Sequence, residues 1–354
     1  MNTDFEGRGA LRASGCAQRS PTGPMNTHAQ ELPPRRALVV AAFATVYVLW
    51  GSTYLGMRVA IETLPPFFMA GCRFLVAGGA LLAVLRFRGQ PLPDRSLSKD
   101  ILISGVLLLV TANGLVVWAE QTVPSGITSL IVGLTPAWFA VLDWMRPGGP
   151  RPELRTVVGI AIGFAGIALL MSPNTPLHPN VHHYSGVVML LIAGISWAGG
   201  SLFSKHRLGK ESPWMIAALQ MLYGGAVLMV LALCTGELQQ VHWTRISQRS
   251  IGALLYLVVF GSWIGFSAYV WLLKVSKPAH VATYAYVNPV IALMLGNLLL
   301  REPLTSRVLL AGAIILTGVA IITMPKRLGR VSSLAACADA RETTRTISGS
   351  RKSA

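Results

Sequence analysis

Ten apolar runs, separated by short polar stretches, make up most of this chain. They fall at roughly 37–57, 66–85, 101–119, 124–143, 154–172, 184–204, 213–234, 251–273, 279–299 and 306–324. A run of ~20 apolar residues is long enough to cross a hydrocarbon core of ~30 Å. Inside such a core every backbone group needs an internal partner, and the two-residue alternation of a barrel strand is absent. The runs are therefore read as helices. Pro65-Pro66, Pro124, Pro213 and Pro278 stand near helix starts, where a missing N–H costs little. Pro136 and Pro289 fall inside the fourth and ninth runs and are expected to kink them. The expected fold is all-α and integral to the membrane, with ten transmembrane helices.

Composition strengthens this picture. The chain is 53% hydrophobic and only 12% charged, about half the charged share of a soluble domain. The net charge of +16 does not point to nucleic acid, because no basic stripe is interleaved with aromatics on a polar element. The basic residues lie in loops and tails instead. With the N-terminus inside, cytoplasmic segments carry 24 Lys and Arg, outer segments carry 5, and Arg73 is the remaining one of 30. By the positive-inside rule both termini are expected in the cytoplasm. Cys16, Cys72, Cys234 and Cys337 are widely spaced, and no disulfide framework or zinc site is expected.

The stretch Leu49–Phe74 breaks the apolar pattern. It carries Trp50, Ser52, Thr53 and Tyr54 where a lipid-facing helix would carry Leu or Ile, and Arg73 sits within the second run. A weaker copy follows 147 residues later. Trp50, Thr53-Tyr54, Arg58, Ala70 and Gly78 match Trp197, Gly200-Ser201, Lys205, Ala217 and Gly225. Beyond these the offset becomes 153, pairing Trp118 with Trp271, Pro136 with Pro289, Gly159 with Gly312 and Met171 with Met324. Five helices per copy is an odd number, so the second copy enters the membrane from the other side. Inverted repeats of this kind favour a secondary transporter with a site between the halves.

Four motifs, in order along the chain, then carry a resemblance. They are Trp50-Gly51-Ser52-Thr53-Tyr54, Pro65-Pro66 followed by Arg73-Phe74, Tyr284-Ala285-Tyr286-Val287-Asn288-Pro289-Val290, and Glu302-Pro303-Leu304-Thr305. Over about 37–325 the chain resembles the EamA branch of the drug/metabolite transporter superfamily, and within it the YedA-type exporters. The resemblance implies a first repeat at 37–173, a second at 184–325, a central cavity and export of small molecules. Residues 1–36 and 326–354 are then disordered cytoplasmic tails. Relatives often have a Gly-Glu-Pro-like turn after both the fourth and ninth helices. Here the first of these turns, Met145-Arg146-Pro147-Gly148-Gly149-Pro150, lacks the acid, and the second has Arg301 in place of Gly.

Several residues are candidates for function. Arg73 is the one Lys, Arg, Asp or Glu well inside a run. It either faces a solute carboxylate or acid at the cavity, or caps carbonyls and reaches outward. Glu120 ends the third run and is either a proton-coupling carboxylate or an interfacial glutamate. Trp50, Tyr54, Tyr284, Tyr286 and Asn288 are read as cavity lining, whereas Trp118 and Trp271 fit an interfacial belt. Thr53, with Ser52 and Ser201, either binds solute or bonds between helices. Gly159 and Gly163, and the pairs Gly78-Gly79 and Gly224-Gly225, suit close helix packing and are weaker candidates for a homodimer face. His178, His182 and His183 lack the partners of a metal site.

No Walker sequence and no hydrolase motif occurs, so neither a nucleotide cofactor nor enzyme activity is expected. The reading is a secondary-active transporter of the inner membrane, exporting small metabolites, amino acids or drugs. The rivals are a membrane enzyme acting on a lipid-linked substrate and a passive channel. The expected partners are a small-molecule solute and the bilayer. The sequence leaves the start of translation between Met1 and Met25; Met25 is the hypothesis, and an intact native mass that includes residues 1–24 would sink it.

Overall fold

A computed structural model of the chain describes residues 36–146, 148–149, 151–171 and 181–323, without the side chains of 181–183 and 279. The expected tails, the Met25 start, Cys16, Cys337 and the side chains of His178, His182 and His183 lie outside the described residues. Among the described residues all regular structure is helical.

The helices are α1 (Arg36–Ala60), α2 (Pro66–Phe87), α3 (Arg95–Ala119), α4 (Ser125–Met145), α5 (Leu154–Leu170), α6 (Val181–Leu208), α7 (Pro213–Cys234), α8 (Gln248–Val275), α9 (Tyr284–Leu300) and α10 (Ser306–Thr323). Eight of them are long and apolar enough to cross a membrane, while α5 and α9 are shorter apolar helices of 17 residues each. The ninth apolar run does not form one helix. A single turn, Pro278–Val281, is followed by a break at Ala282-Thr283 before α9 begins.

Interruptions in the long helices fall near the centre of the bundle. The fourth run stops at Val132 and restarts at Thr135, with Pro136 in the first turn of the new segment. A proline in a first turn removes no intrahelical bond, so this helix is broken ahead of Pro136. Pro289 lies inside α9, where it does remove a donor. Both α3 and α8 contain a π-helical segment, Val106–Gly114 and Leu257–Phe266. Such segments are rare and gather at functional sites.

Small residues set the closest packing. A Cβ on Gly225 would lie 2.8 Å from Leu75 N on α2, and one on Gly78 would lie 2.8 Å from Ala218 O on α7. The two backbones therefore meet with no side chain between them. Gly159 and Gly318 do the same for α5 and α10, where a Cβ on Gly318 would be 2.5 Å from Gly159 O. Gly79 is different, with its nearest neighbour Leu222 at 4.0 Å.

Charge-assisted contacts tie the loops at one end of the bundle, called here the Glu302 end. Arg301 caps α9 in the left-handed conformation at φ 54, the position where glycine is ordinarily used. The turn delivers the Glu302 carboxylate to the start of α4. There it accepts from Ser125 N (2.9 Å), Ser125 Oγ (2.8 Å) and Gly126 N (3.1 Å). Glu237 accepts from Phe68 N at 2.8 Å, capping the start of α2. Its burial pushes this carboxylate above the usual range, and the N–H groups of Phe68 and Phe67 oppose that shift. At the opposite, Asp100 end, Arg207 pairs with Asp100 at 3.0 Å.

Three substitutions test this arrangement by thermal unfolding in detergent. Gly225→Val should lose about 1–3 kcal/mol through overpacking, whereas Gly79→Ala should change stability by less than about 0.5 kcal/mol. Glu302→Ala removes an ionised acceptor from three donors and should cost about 1.5–3 kcal/mol. An unchanged midpoint for Glu302→Ala would remove it from the set of structural caps.

Candidate functional site

One face of α1 carries Trp50, Thr53, Tyr54 and Met57, at the three- and four-residue spacing that aligns side chains on a helix. These residues form one wall of a central cavity with about 620 Å³ of empty space, including its opening. Arg73 and Phe74 of α2 and Leu109, Ala112, Asn113 and Val116 of α3 continue the wall. Val132 of α4, Ala193 and Trp197 of α6, Gly261 and Phe266 of α8, and Tyr284 complete it. The cavity thus draws on both halves of the chain and on both π-helical segments.

Arg73 is 3% exposed. Its Nε donates to Ser262 Oγ at 2.7 Å, and its guanidinium carbon lies 4.8 Å from the Phe74 ring centroid. Nη1 is buried without a hydrogen-bond partner. Gly261 makes the guanidinium's seat, since a Cβ there would meet Arg73 Nη2 and Thr53 Cγ2, each at 2.9 Å. The π-helical segment of α8 therefore supplies both the acceptor and the space for this charge. Asn113 Oδ1 and the Trp197 indole nitrogen, also in the lining, are likewise buried without a partner.

An aromatic cluster closes one side of the cavity. The Trp50 ring lies 5.3 Å from Trp197, 4.9 Å from Tyr269 and 5.3 Å from Tyr284. Trp50 Nε1 donates to Gly261 O at 3.2 Å, and Ser201 and Tyr269 share a hydroxyl bond of 2.6 Å. A wide vestibule opens at the Asp100 end, lined by Arg146, Lys205, His206, Lys277 and His280 with Asp143. A second vestibule opens at the Glu302 end, lined by Arg58, Glu62, Gln121, Arg301 and Glu302.

Trp50, Thr53, Tyr54, Arg73 and Tyr284 are therefore brought together around one cavity. Tyr286 and Asn288 are not part of its lining. Tyr286 donates its hydroxyl to Val319 O at 2.8 Å, joining α9 to α10. Asn288 is buried, and its amide nitrogen is placed to donate to Tyr284 O and Tyr47 O, at 3.2 and 3.0 Å. Thr53 Oγ1 donates to Trp50 O at 2.8 Å, within its own helix. Ser52 and Tyr256 bond at 2.5 Å, between α1 and α8.

Glu120 lies one residue beyond α3, outside the cavity lining and fully buried. Neither carboxylate oxygen has a hydrogen-bond partner, while its backbone oxygen accepts from Arg58. Burial holds this carboxyl well above the usual range; Arg58 and Arg73 pull it down and Glu302 pushes it up.

Comparison with known proteins gives the site its setting. The model of the EamA-like transporter family matches residues 37–172 and again 184–324. The chain belongs to the EamA-like transporter family. The inner membrane transporter YedA of Escherichia coli K12, itself described as uncharacterized, is 39% identical over 288 residues, covering 81% of this chain and 91% of YedA. The uncharacterized transporter YvbV of Bacillus subtilis is 26% identical over 306 residues, covering 86% and 97%. A solved crystal structure matches with a TM-score of 0.62 at 18% identity, covering 83% of this chain and all of its own, so the fold is shared. This EamA-like protein is a multi-pass membrane transporter.

Sequence reasoning missed Gly261 and Ser262. The signal was present as a Gly-Ser pair inside the apolar run Leu257–Phe266, but no sequence pattern announces a π-helical turn. It also missed Glu237, which reads as an ordinary loop glutamate.

Ser262→Ala should cost about 1.5–3 kcal/mol of stability, because a buried charged donor loses its acceptor. In an Arg73→Met background the same change should cost under about 0.5 kcal/mol. Equal costs in both backgrounds, measured by thermal unfolding, would show that Ser262 does not serve Arg73.

Proposed function

We propose that this EamA-like transporter is a secondary-active exporter of the inner membrane, moving small metabolites, amino acids or drugs by alternating access. The observation that carries the reading is a central cavity built from both halves and flanked by a wider vestibule at each end. Ten spans in two inverted repeats, 37–173 and 184–325, fit the matched Trp, Pro and Gly positions. With both termini cytoplasmic, the Asp100 end faces the cytoplasm and the Glu302 end faces outward.

In this reading Trp50, Thr53, Tyr54, Arg73 and Tyr284 contact the solute. Tyr286 and Asn288 hold α9 against α10 and α1, so they position Tyr284 without touching the solute. The aromatic cluster is the inner gate. The Glu302 cap on α4 is the outer tie, and the breaks near Pro136 and before α9 are where the helices bend. The export direction is supported by the resemblance to YedA-type exporters.

Glu120 is the coupling candidate. A carboxyl held above its usual range keeps its proton at pH values where a free carboxyl, at ~4.3, has lost it. It then releases the proton as the pH rises further or as Arg58 and Arg73 come closer. Its position near Arg73 lets solute charge and proton charge influence one another.

Counterflow in proteoliposomes tests the reading. Flux should saturate with solute concentration and be competed by analogues; unsaturable, linear flux would point to a channel and sink it. Glu120→Gln should retain solute exchange at equal pH on both sides yet lose the acceleration produced by a pH gradient. A variant that still responds fully to the gradient would remove Glu120 from coupling.

A further inference from the structure

The central cavity presents a charge that no acid in its lining neutralises; Glu120, outside the lining, is the buried carboxyl whose charge reaches it. Among its lining side chains Arg73 is the single ionised group, and no Asp or Glu joins it. Its Nη1 is buried without a hydrogen-bond partner, and 3% exposure denies the side chain bulk water. An uncompensated buried charge is costly, and an incoming anion that satisfies the donor removes that cost. The rest of the wall is mostly apolar, with the rings of Trp50, Trp197, Tyr284 and Phe266 suited to a planar body.

We infer that the solute is a small organic anion bearing one carboxylate on a flat, apolar body, with Arg73 as the carboxylate-binding residue. One guanidinium and one carboxylate leave the occupied cavity neutral. An ammonium group meets repulsion from Arg73 and finds no carboxylate in the lining, so amines are rejected and zwitterions are taken poorly. A hydroxyl or N–H on the body would satisfy Asn113 Oδ1. Ser262 and Gly261 are positioning residues: they set the guanidinium's direction and touch no solute.

A second, separate feature carries the same sign. The vestibule at the Asp100 end is lined by Arg146, Lys205, His206, Lys277 and His280 against Asp143. Arg146 is paired with Asp143 at 3.2 Å, and Lys205 donates to Leu273 O and Ser276 O, which leaves the region positive overall. A positive vestibule raises the local concentration of anions before they reach the aromatic cluster.

The inference rests on the cavity being the solute site. The test reads binding, so a wrong solute class leaves the counterflow result standing. Equilibrium binding of radiolabelled benzoate to the full-length protein in detergent at pH 7.5 should be saturable. Benzyl alcohol and phenethylamine should compete at least about tenfold more weakly than unlabelled benzoate, and phenylalanine should fall between. Arg73→Gln should weaken benzoate binding at least about tenfold, and raised salt should slow its association with the wild type. If Arg73→Gln fails to fold, the competition order on the wild type decides. Phenethylamine or benzyl alcohol competing as well as benzoate would overturn the inference. So would unaltered benzoate affinity in a folded Arg73→Gln variant, or no saturable benzoate binding by the folded wild type.

Discussion

The structure depends on keeping one guanidinium ionised inside an apolar bundle. Arg73 on α2 reaches past its own helix to Ser262 on α8, and that contact is possible only because α8 departs from α-helical winding at Leu257–Phe266. A π-helical turn widens the helix and changes which residues face inward. Here it turns Gly261 and Ser262 towards the charge. The same segment gives the Gly261 carbonyl to Trp50, so the aromatic cluster and the buried cation share one support. The segment in α3 brings Leu109, Ala112 and Asn113 to the facing wall.

A second constraint distinguishes the two ends. At the Glu302 end, carboxylates from the second half cap helix starts in the first: Glu302 on α4 and Glu237 on α2. The sequence offsets pair Glu302 with Gly149 and Glu237 with Gln90. Gln90 stands near the start of α7, but its link to Ser212 is a neutral bond of 3.4 Å. Hydrogen bonds with an ionised partner are roughly twice as strong as neutral ones. At the Glu302 end these carboxylates hold helix-start N–H groups, whereas a charged link across the halves at the Asp100 end is the exposed Arg207–Asp100 pair at 3.0 Å.

The helical plan was legible because membrane burial leaves a strong imprint, and each long apolar run became one helix or a pair. Trp50, Thr53, Tyr54 and Arg73 were legible for the same reason, since polar and aromatic residues are conspicuous in an apolar run. Tyr286 and Asn288 stood out on the same grounds, yet they bond between helices outside the cavity. Their polarity identified an inner face but not which neighbour each would meet. Ser262, Gly261 and Glu237 were illegible because their roles come from backbone winding and from contacts across about 170–190 residues of sequence.

The aromatic cluster shows how these constraints combine. Trp50, Trp197 and Tyr284 each line the cavity, while Tyr269 is buried behind them. Removing a ring from such a set opens space that its neighbours cannot fill without leaving their rotamers. The rings are carried by separate helices, however, since Trp50, Trp197 and Tyr284 sit on α1, α6 and α9. Of these, α9 begins just after a break and carries Pro289 within it. Tyr284 is therefore the ring of the three that stands in the first turn after a helix break, while Glu302 holds the start of α4 at the other end.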